Sequence, residues 1–394
     1  MTADAVAPDP LHWCFMSEAF LFEAVRTPIG KRKGGLSGLR ADELAALPLA
    51  EVVRRAEVPM EAVEDVIMGC VTQMGEQGFN VARIAALIAG FPETTCGTSV
   101  NRQCGSSLQA FHFAAASVMS GQNDLVIAAG AESMTRVPMG SDGAPPSPKL
   151  TERFDIIHQG LSAEMIAAKW ELTREELDEY SIESHERALR AAADGVFDRE
   201  IMKVEVDTPE GPRTLSVDEG PRRGSTLEKL ATLPTVFKED GVVTPASSSQ
   251  ISDGACAVLV GSQEAGRRFG LQPRARVVAT AIAGVDPTIM LTGPIPATAK
   301  VLAKAGLSID DIEVFEVNEA FAPVVLAWLR ETGAEHDRTN VNGGAIALGH
   351  PLGCSGVRLL TTLLHELERR EGRYGLATLC IGYGQAVATI IERL

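Results

Sequence analysis

Val52-Val53-Arg54-Arg55-Ala56-Glu57-Val58-Pro59-Met60-Glu61-Ala62-Val63-Glu64-Asp65-Val66 has a counterpart late in the same chain, Val301-Leu302-Ala303-Lys304-Ala305-Gly306-Leu307-Ser308-Ile309-Asp310-Asp311-Ile312-Glu313-Val314-Phe315. Each reads as the end of a helix, a short turn and a return to apolar sequence. Val52 answers Val301, Ala56 answers Ala305, Met60 answers Ile309 and Val63 answers Ile312. A repeat of this kind marks two halves built alike. Downstream, each half carries Val-Asn and then a turn with Gly and Cys: Val100-Asn101 through Cys104-Gly105, and Val341-Asn342 through Gly353-Cys354. The apolar runs 125–129 and 376–380 end near glycine, as buried strands do. Residues 110–119 and 357–367 are helix-forming and largely apolar, suited to packing between or beneath sheets. Strands alternating with helices predict α/β layers.

Between the halves the texture changes. Residues 141–148, Ser-Asp-Gly-Ala-Pro-Pro-Ser-Pro, form a loop by composition. Amphipathic helices are predicted over 162–170 and 174–193, and Pro209-Glu210-Gly211-Pro212 and 220–224 mark turns. The chain then returns to the first core through Val242-Val243 and 255–260. The expected organisation is an N-terminal extension at 1–17, a first half at 18–136 plus 241–273, an inserted loop domain at 137–240 and a second half at 274–394. The first 15 residues are expected to contribute no core.

A length of 394 residues predicts two or three structural units, and 45% apolar against 22% charged residues fits a folded chain with a sizeable core. The formal charge of −16 argues against holding nucleic acid or an anionic membrane by bulk charge. Apolar runs stop short of the roughly 20 residues of a membrane span. The first 17 residues contain Asp4 and Asp9 but no Lys or Arg, unlike a secretory or mitochondrial leader. Seven scattered cysteines with no Cys-x-x-Cys pair support neither a zinc ribbon nor a disulfide framework, which predicts a reducing, cytoplasmic setting and no metal.

Four clusters, three of them glycine-flanked, carry the chemistry. Asn101-Arg102-Gln103-Cys104-Gly105-Ser106-Ser107 puts Cys104 at a strand-to-helix turn, where a helix N-terminus would lower a thiol pKa; a buried small apolar residue is the competing reading. The run Gly343-Gly344 to Gly356 lacks Gly-Lys-Ser/Thr and is therefore no Walker loop. Its His350 is either a hydrogen-bonded structural residue or, beside a thiol nucleophile, the general base. Cys380-Ile381-Gly382-Tyr383-Gly384 offers a second cysteine as redox partner or proton donor. In Val317-Asn318-Glu319-Ala320-Phe321, Asn318 is suited to holding a water or donating to an oxyanion, and Glu319 to capping the next helix.

Together, in this order and with the half-repeat, the four clusters resemble those of the thiolases from about Phe20 to Leu394. The opening stretch Glu23-Ala24-Val25-Arg26-Thr27-Pro28-Ile29-Gly30-Lys31 is similar to the family's first strand and turn. The resemblance implies a five-layered α/β/α/β/α architecture of two similar halves with an inserted loop domain. It implies Cys104 as the acyl-accepting nucleophile and His350 as its activating base, which also lines one oxyanion site. Cys380 would exchange the proton at the substrate's α-carbon, and Asn318 would hold a water in that oxyanion site. The N–H groups of Cys104 and Gly382 would form the second oxyanion site. Arg222, within Gly220-Pro221-Arg222-Arg223-Gly224, and Ser249, within Ser247-Ser248-Ser249-Gln250, are the implied coenzyme A contacts.

Departures from the family pattern are Ser107, Tyr383 and Ala386, each where glycine is common. The implied activity is degradative thiolysis of 3-oxoacyl-CoA by coenzyme A, with fatty-acid or sterol side-chain substrates, no permanently bound cofactor, and a homodimer or dimer of dimers. Competing readings are an acetyl-CoA acetyltransferase making acetoacetyl-CoA, a non-catalytic acyl-CoA-binding relative, and a redox sensor using Cys104 and Cys380.

Overall fold

The computed structural model describes residues 18–208 and 211–394. The expected extension at 1–17, and the first two residues of the expected Pro209 turn, lie outside the described residues. The strands are β1 (Phe20–Arg26), β2 (Gly30–Lys31), β3 (Asp65–Gly69), β4 (Cys96–Val100), β5 (Leu125–Ser133), β6 (Val204–Thr208), β7 (Gly211–Leu215), β8 (Ser252–Gly261), β9 (Ala275–Gly284), β10 (Val314–Val317), β11 (Tyr374–Ile381) and β12 (Gln385–Arg393). The helices are α1 (Ala41–Ala56), α2 (Val81–Ile88), α3 (Ser106–Met119), α4 (Pro148–Thr151), α5 (Gln159–Lys169), α6 (Arg174–Ala193), α7 (Leu227–Ala231), α8 (Gln263–Phe269), α9 (Pro294–Ala305), α10 (Ala322–Thr332), α11 (Ala345–Leu348) and α12 (Ser355–Arg370).

The repeated segment folds the same way twice. Helix α1 ends on Glu57 at φ 55°, and α9 ends on Gly306 at φ 66°, each in the left-handed conformation that closes a helix C-terminus. A single 3₁₀ turn follows (Met60–Ala62, Ile309–Asp311), and then a strand that pairs parallel with its neighbours: β3 with β4 and β5, β10 with β11. The counterpart of β4 in the second half shrinks to one parallel bridge, Phe315 with Thr339.

The strand order β10-β11-β12-β9-β1-β8-β5-β3-β4 joins the halves through antiparallel β1 and β9, and β2 pairs with β8. Strand residues alternate between layers because successive side chains point to opposite faces. On β5, Leu125, Ile127 and Ala129 pack in the same core as α1 and α2, whereas Val126 and Ala128 pack with α3 and α12. On β11, Ala377 and Leu379 join that same α3/α12 core, while Leu376 and Cys380 face the core shared with α9 and α10. The layers are therefore helices, first-half sheet, α3 and α12, second-half sheet, and helices: the expected α/β/α/β/α build.

Helices α3 and α12 cross closely. A Cβ on Gly356 would lie 2.3 Å from the Leu108 nitrogen, so only glycine fits there. Ser107 joins the two helix heads, donating to the Cys354 carbonyl (3.1 Å) and accepting from the Val357 N–H (3.0 Å). Its side chain occupies the space beside Gly130, where a Cβ would come within 2.5 Å of the Ser107 Cβ. Between β5 and β8 the chain leaves the sheet to form α4 to α7 and the β6–β7 hairpin. Buried Arg26 of β1 ties this excursion down through Glu200 (2.6 Å) and Asp218 (2.7 Å), with the cost of burying the charges offset by their pairing.

Candidate active site

Cys104 stands immediately before α3, in a buried cluster with Val71, Met134 and Leu352. The preceding residue, Gln103, has φ 45°, a left-handed conformation that costs a non-glycine residue free energy. It is held by its N–H on Asn101 Oδ1 (2.9 Å) and by its carbonyl, which accepts from the Ser106 N–H and hydroxyl. The sharp turn projects the Cys104 sulfur toward its own N–H and that of Gly382, the pair expected to form an oxyanion site. The expected lowering of the thiol pKa does not occur. Burial, against the two N–H groups, pushes the Cys104 thiol up to about 11.

His350 is buried, with Nδ1 2.6 Å from the Ser355 hydroxyl and Nε2 3.3 Å from Asn318 Nδ2. The Ser355 hydroxyl donates to the Pro351 carbonyl (2.9 Å), so it accepts from Nδ1–H. That assigns the tautomer: Nε2 carries the lone pair, and Asn318 Nδ2 donates to it. Burial, with Arg358 as a second cause, pulls the His350 pKa down to about 3. The ring is thus neutral, with Nε2 as an acceptor. Asn318, at the end of β10, is buried, and its Oδ1 has no partner.

Cys380, on β11, is buried, and burial followed by the neighbouring Cys104 raises its pKa well above the usual thiol range. Both cysteines are free thiols. Tyr383 has φ 58° and is 46% exposed, turned out at the rim beside Gly382. A cavity of about 630 Å³ reaches His350, Gly382 and the residue before Cys104, whereas Cys104, Asn318 and Cys380 themselves do not line it. Gln103, Ser249, His350, Gly382 and Tyr383 line it, along with a mainly apolar wall that includes Met134, Ile157, Phe237, Met290, Phe321 and Leu352. Arg222 is exposed and outside that wall; its N–H donates to His185 Nδ1 (3.2 Å). No group of three or more His, Cys, Asp or Glu side chains among the described residues is arranged to hold a metal ion.

Two supporting residues escaped the sequence reading and a third was given another role. Ser355, which fixes His350, was visible only as one serine in Gly353-Cys354-Ser355-Gly356. Glu132, buried at the end of β5, accepts from Val71 N–H, Thr72 N–H, Gln77 Nε2 and Gly353 N–H, joining loops from both halves. Glu319 does not cap the following helix α10, as expected. It accepts from Tyr180 and Ser184 of α6, from Asn340 and from the Ile346 N–H, tying the inserted segment to the loop that carries His350.

The thiolase N-terminal domain family matches residues 19–264, and the thiolase C-terminal domain family matches residues 271–393. The chain is 49% identical over 392 residues to a steroid 3-ketoacyl-CoA thiolase of Mycobacterium tuberculosis, covering 96% of this chain and 95% of that one. It is 45% identical over 401 residues to a beta-ketoadipyl-CoA thiolase of Escherichia coli, covering 96% and 100%. Among solved structures, a human mitochondrial 3-ketoacyl-CoA thiolase superposes with TM-score 0.90 at 38% identity, covering 97% and 100%. A Bacillus anthracis acetyl-CoA acetyltransferase does so with TM-score 0.90 at 39% identity, covering 96% and 100%. With both family domains matched along almost its whole length and relatives this similar, the chain belongs to the thiolase family.

Proposed function

We propose that the protein cleaves 3-oxoacyl-CoA with coenzyme A, yielding acetyl-CoA and a shortened acyl-CoA. The observation that carries this reading is His350, buried at the wall of a large, mainly apolar cavity with its Nδ1 on the Ser355 hydroxyl and its Nε2 on Asn318 Nδ2. His350 takes the Cys104 proton as the sulfur attacks the 3-oxo carbon. The bond between Cα and the 3-oxo carbon breaks, and its electron pair delocalises into the thioester oxygen. His350 and a water on Asn318 stabilise that enolate. Cys380 protonates the α-carbon and acetyl-CoA departs. The acyl group remains on Cys104 as a thioester, with its oxygen between the N–H groups of Cys104 and Gly382. A second coenzyme A gives its thiol proton to Cys380 and attacks, releasing acyl-CoA, and the Cys104 thiolate recovers its proton from His350. Exchange of one thioester for another is close to isoenergetic, which suits a cysteine nucleophile.

The mainly apolar wall favours acyl groups longer than acetyl, which supports an acyltransferase over an acetoacetyl-CoA-forming acetyltransferase. Ser249, on the cavity wall, is assigned to the pantetheine arm, and Arg222, exposed on the excursion at 137–240, to the coenzyme phosphates. The edge strand β4, with exposed Phe79 and Phe113 on the same half, supports a homodimer through that edge. No helix among the described residues is long and apolar enough to cross a membrane.

The test is incubation with an acyl-CoA followed by peptide mass spectrometry. The wild type should carry the acyl group on Cys104, and Cys104→Ala should carry none. Cys380→Ser should still acylate but lose carbon–carbon cleavage by several orders of magnitude. An equal adduct in Cys104→Ala would overturn the assignment.

A further inference from the structure

Two amide side chains stand beside Gly382 without a role in the chemistry above. Gln103 Oε1 is buried with no hydrogen-bond partner. Gln159, the first residue of α5, lines the same cavity. Both converge on Gly382: a Cβ there would lie 2.3 Å from Gln103 Oε1 and 3.1 Å from Gln159 Nε2. The two amides therefore flank the same point beside Gly382. Neither amide is placed loosely. The Gln103 backbone is pinned in its left-handed conformation by Asn101 and Ser106, and Gln159 follows His158, whose Nδ1 accepts from the Gly160 N–H.

A buried polar atom left unpaired costs free energy, and the wall around it is otherwise mainly apolar. The geometry points to an acyl chain that carries its own oxygen. We infer that the enzyme prefers 3-oxoacyl-CoA substrates whose acyl chain carries a hydroxyl near the thioester end, read by Gln103 and Gln159. A hydroxyl satisfies both amides at once, donating to Gln103 Oε1 and accepting from Gln159 Nε2–H. A carboxylate fits less well, because no Lys or Arg is among the residues lining the cavity. This inference rests on the thiolase reading and deepens it by naming the acyl class.

The experiment compares kcat/KM for thiolysis of three acyl chains of matched length: plain alkyl, hydroxy-substituted, and carboxylate-terminated (3-oxoadipyl-CoA). It uses wild type, Gln103→Leu and Gln159→Leu, so that one variant remains if the other does not fold. Wild type should favour the hydroxy-substituted chain over the alkyl chain by about tenfold or more. Either Leu variant should bring that ratio near unity while still cleaving the alkyl substrate. The inference falls if wild type prefers the alkyl or carboxylate chain. It falls equally if the ratio survives both substitutions, or if a variant loses all substrates in proportion, which would put the amide in the common machinery. Failure of the thiolase reading looks different: no thiolysis of any chain, and no acyl adduct on Cys104 of the wild type.

Discussion

At the scale of single residues, Cys104 is a contest between a helix end and burial. A helix N-terminus stabilises a nearby anion by about 0.3–1 kcal/mol, less than one pKa unit. Burial outweighs it, carrying the thiol from 9.0 to about 11. His350, with its pKa near 3, cannot supply an imidazolium counter-charge in the resting site. In the proposed mechanism the resting pair is therefore thiol and neutral imidazole, and the proton moves only when substrate arrives. The thiolate absorbance of wild type minus Cys104→Ala should accordingly be absent near neutral pH and emerge only as the pH approaches about 11. A difference already at its plateau at about pH 7 would show a preformed thiolate–imidazolium pair and sink this account.

At the scale of elements, the site depends on how two helix heads meet. Helix α3 begins just after Cys104, and α12 begins with Ser355, which orients His350. Gly356 lets the helices touch, and Ser107 clamps their first turns. Gly356→Ala should cost about 2–3 kcal/mol in urea unfolding through overpacking, and slow Cys104 acylation at the same time. Unchanged stability would mean that the crossing relaxes freely. The same elements explain what the sequence could and could not reveal. The helix–turn–strand repeat was legible because caps, turns and apolar spacing are local. Cys104, His350 and Cys380 stood out in glycine-flanked motifs, and Asn318 in the run Val317-Asn318-Glu319-Ala320-Phe321. Ser107 was legible only as a departure, since its partners lie at 354 and 357. Glu132, Glu319 and the tautomer-setting Ser355 were opaque because their meaning lies in contacts between halves or across a turn. The Cys104 pKa was misjudged because sequence shows a helix start but not the depth of burial.

At the scale of the whole molecule, gathering the thiol from one half and imidazole, amide and second thiol from the other requires a thick core, and that core has buried histidines. Burial holds His112, His350 and His365 down to about 3 and His185 to about 4. Unfolding returns each to an ordinary value near 6.5, so the unfolded chain binds more protons as the pH falls below that point. Stability is thus present above about pH 6.5 and is lost on acidification toward the folded values. Buried Glu316, pushed up to about 8, acts the other way between about pH 8 and 4.5, so a bare stability profile mixes opposing contributions. A difference isolates one histidine. His112 lies in α3, away from the reacting groups, with Nε2 2.7 Å from Thr389 Oγ1, a contact that the amide of His112→Gln can reproduce. Between about pH 7 and pH 5, wild type should lose about 2 kcal/mol relative to His112→Gln, measured by urea unfolding at each pH. A stability gap that stays constant over that range would mean that His112 is protonated as easily in the folded protein as in the unfolded chain, and that the central helical layer is open to water.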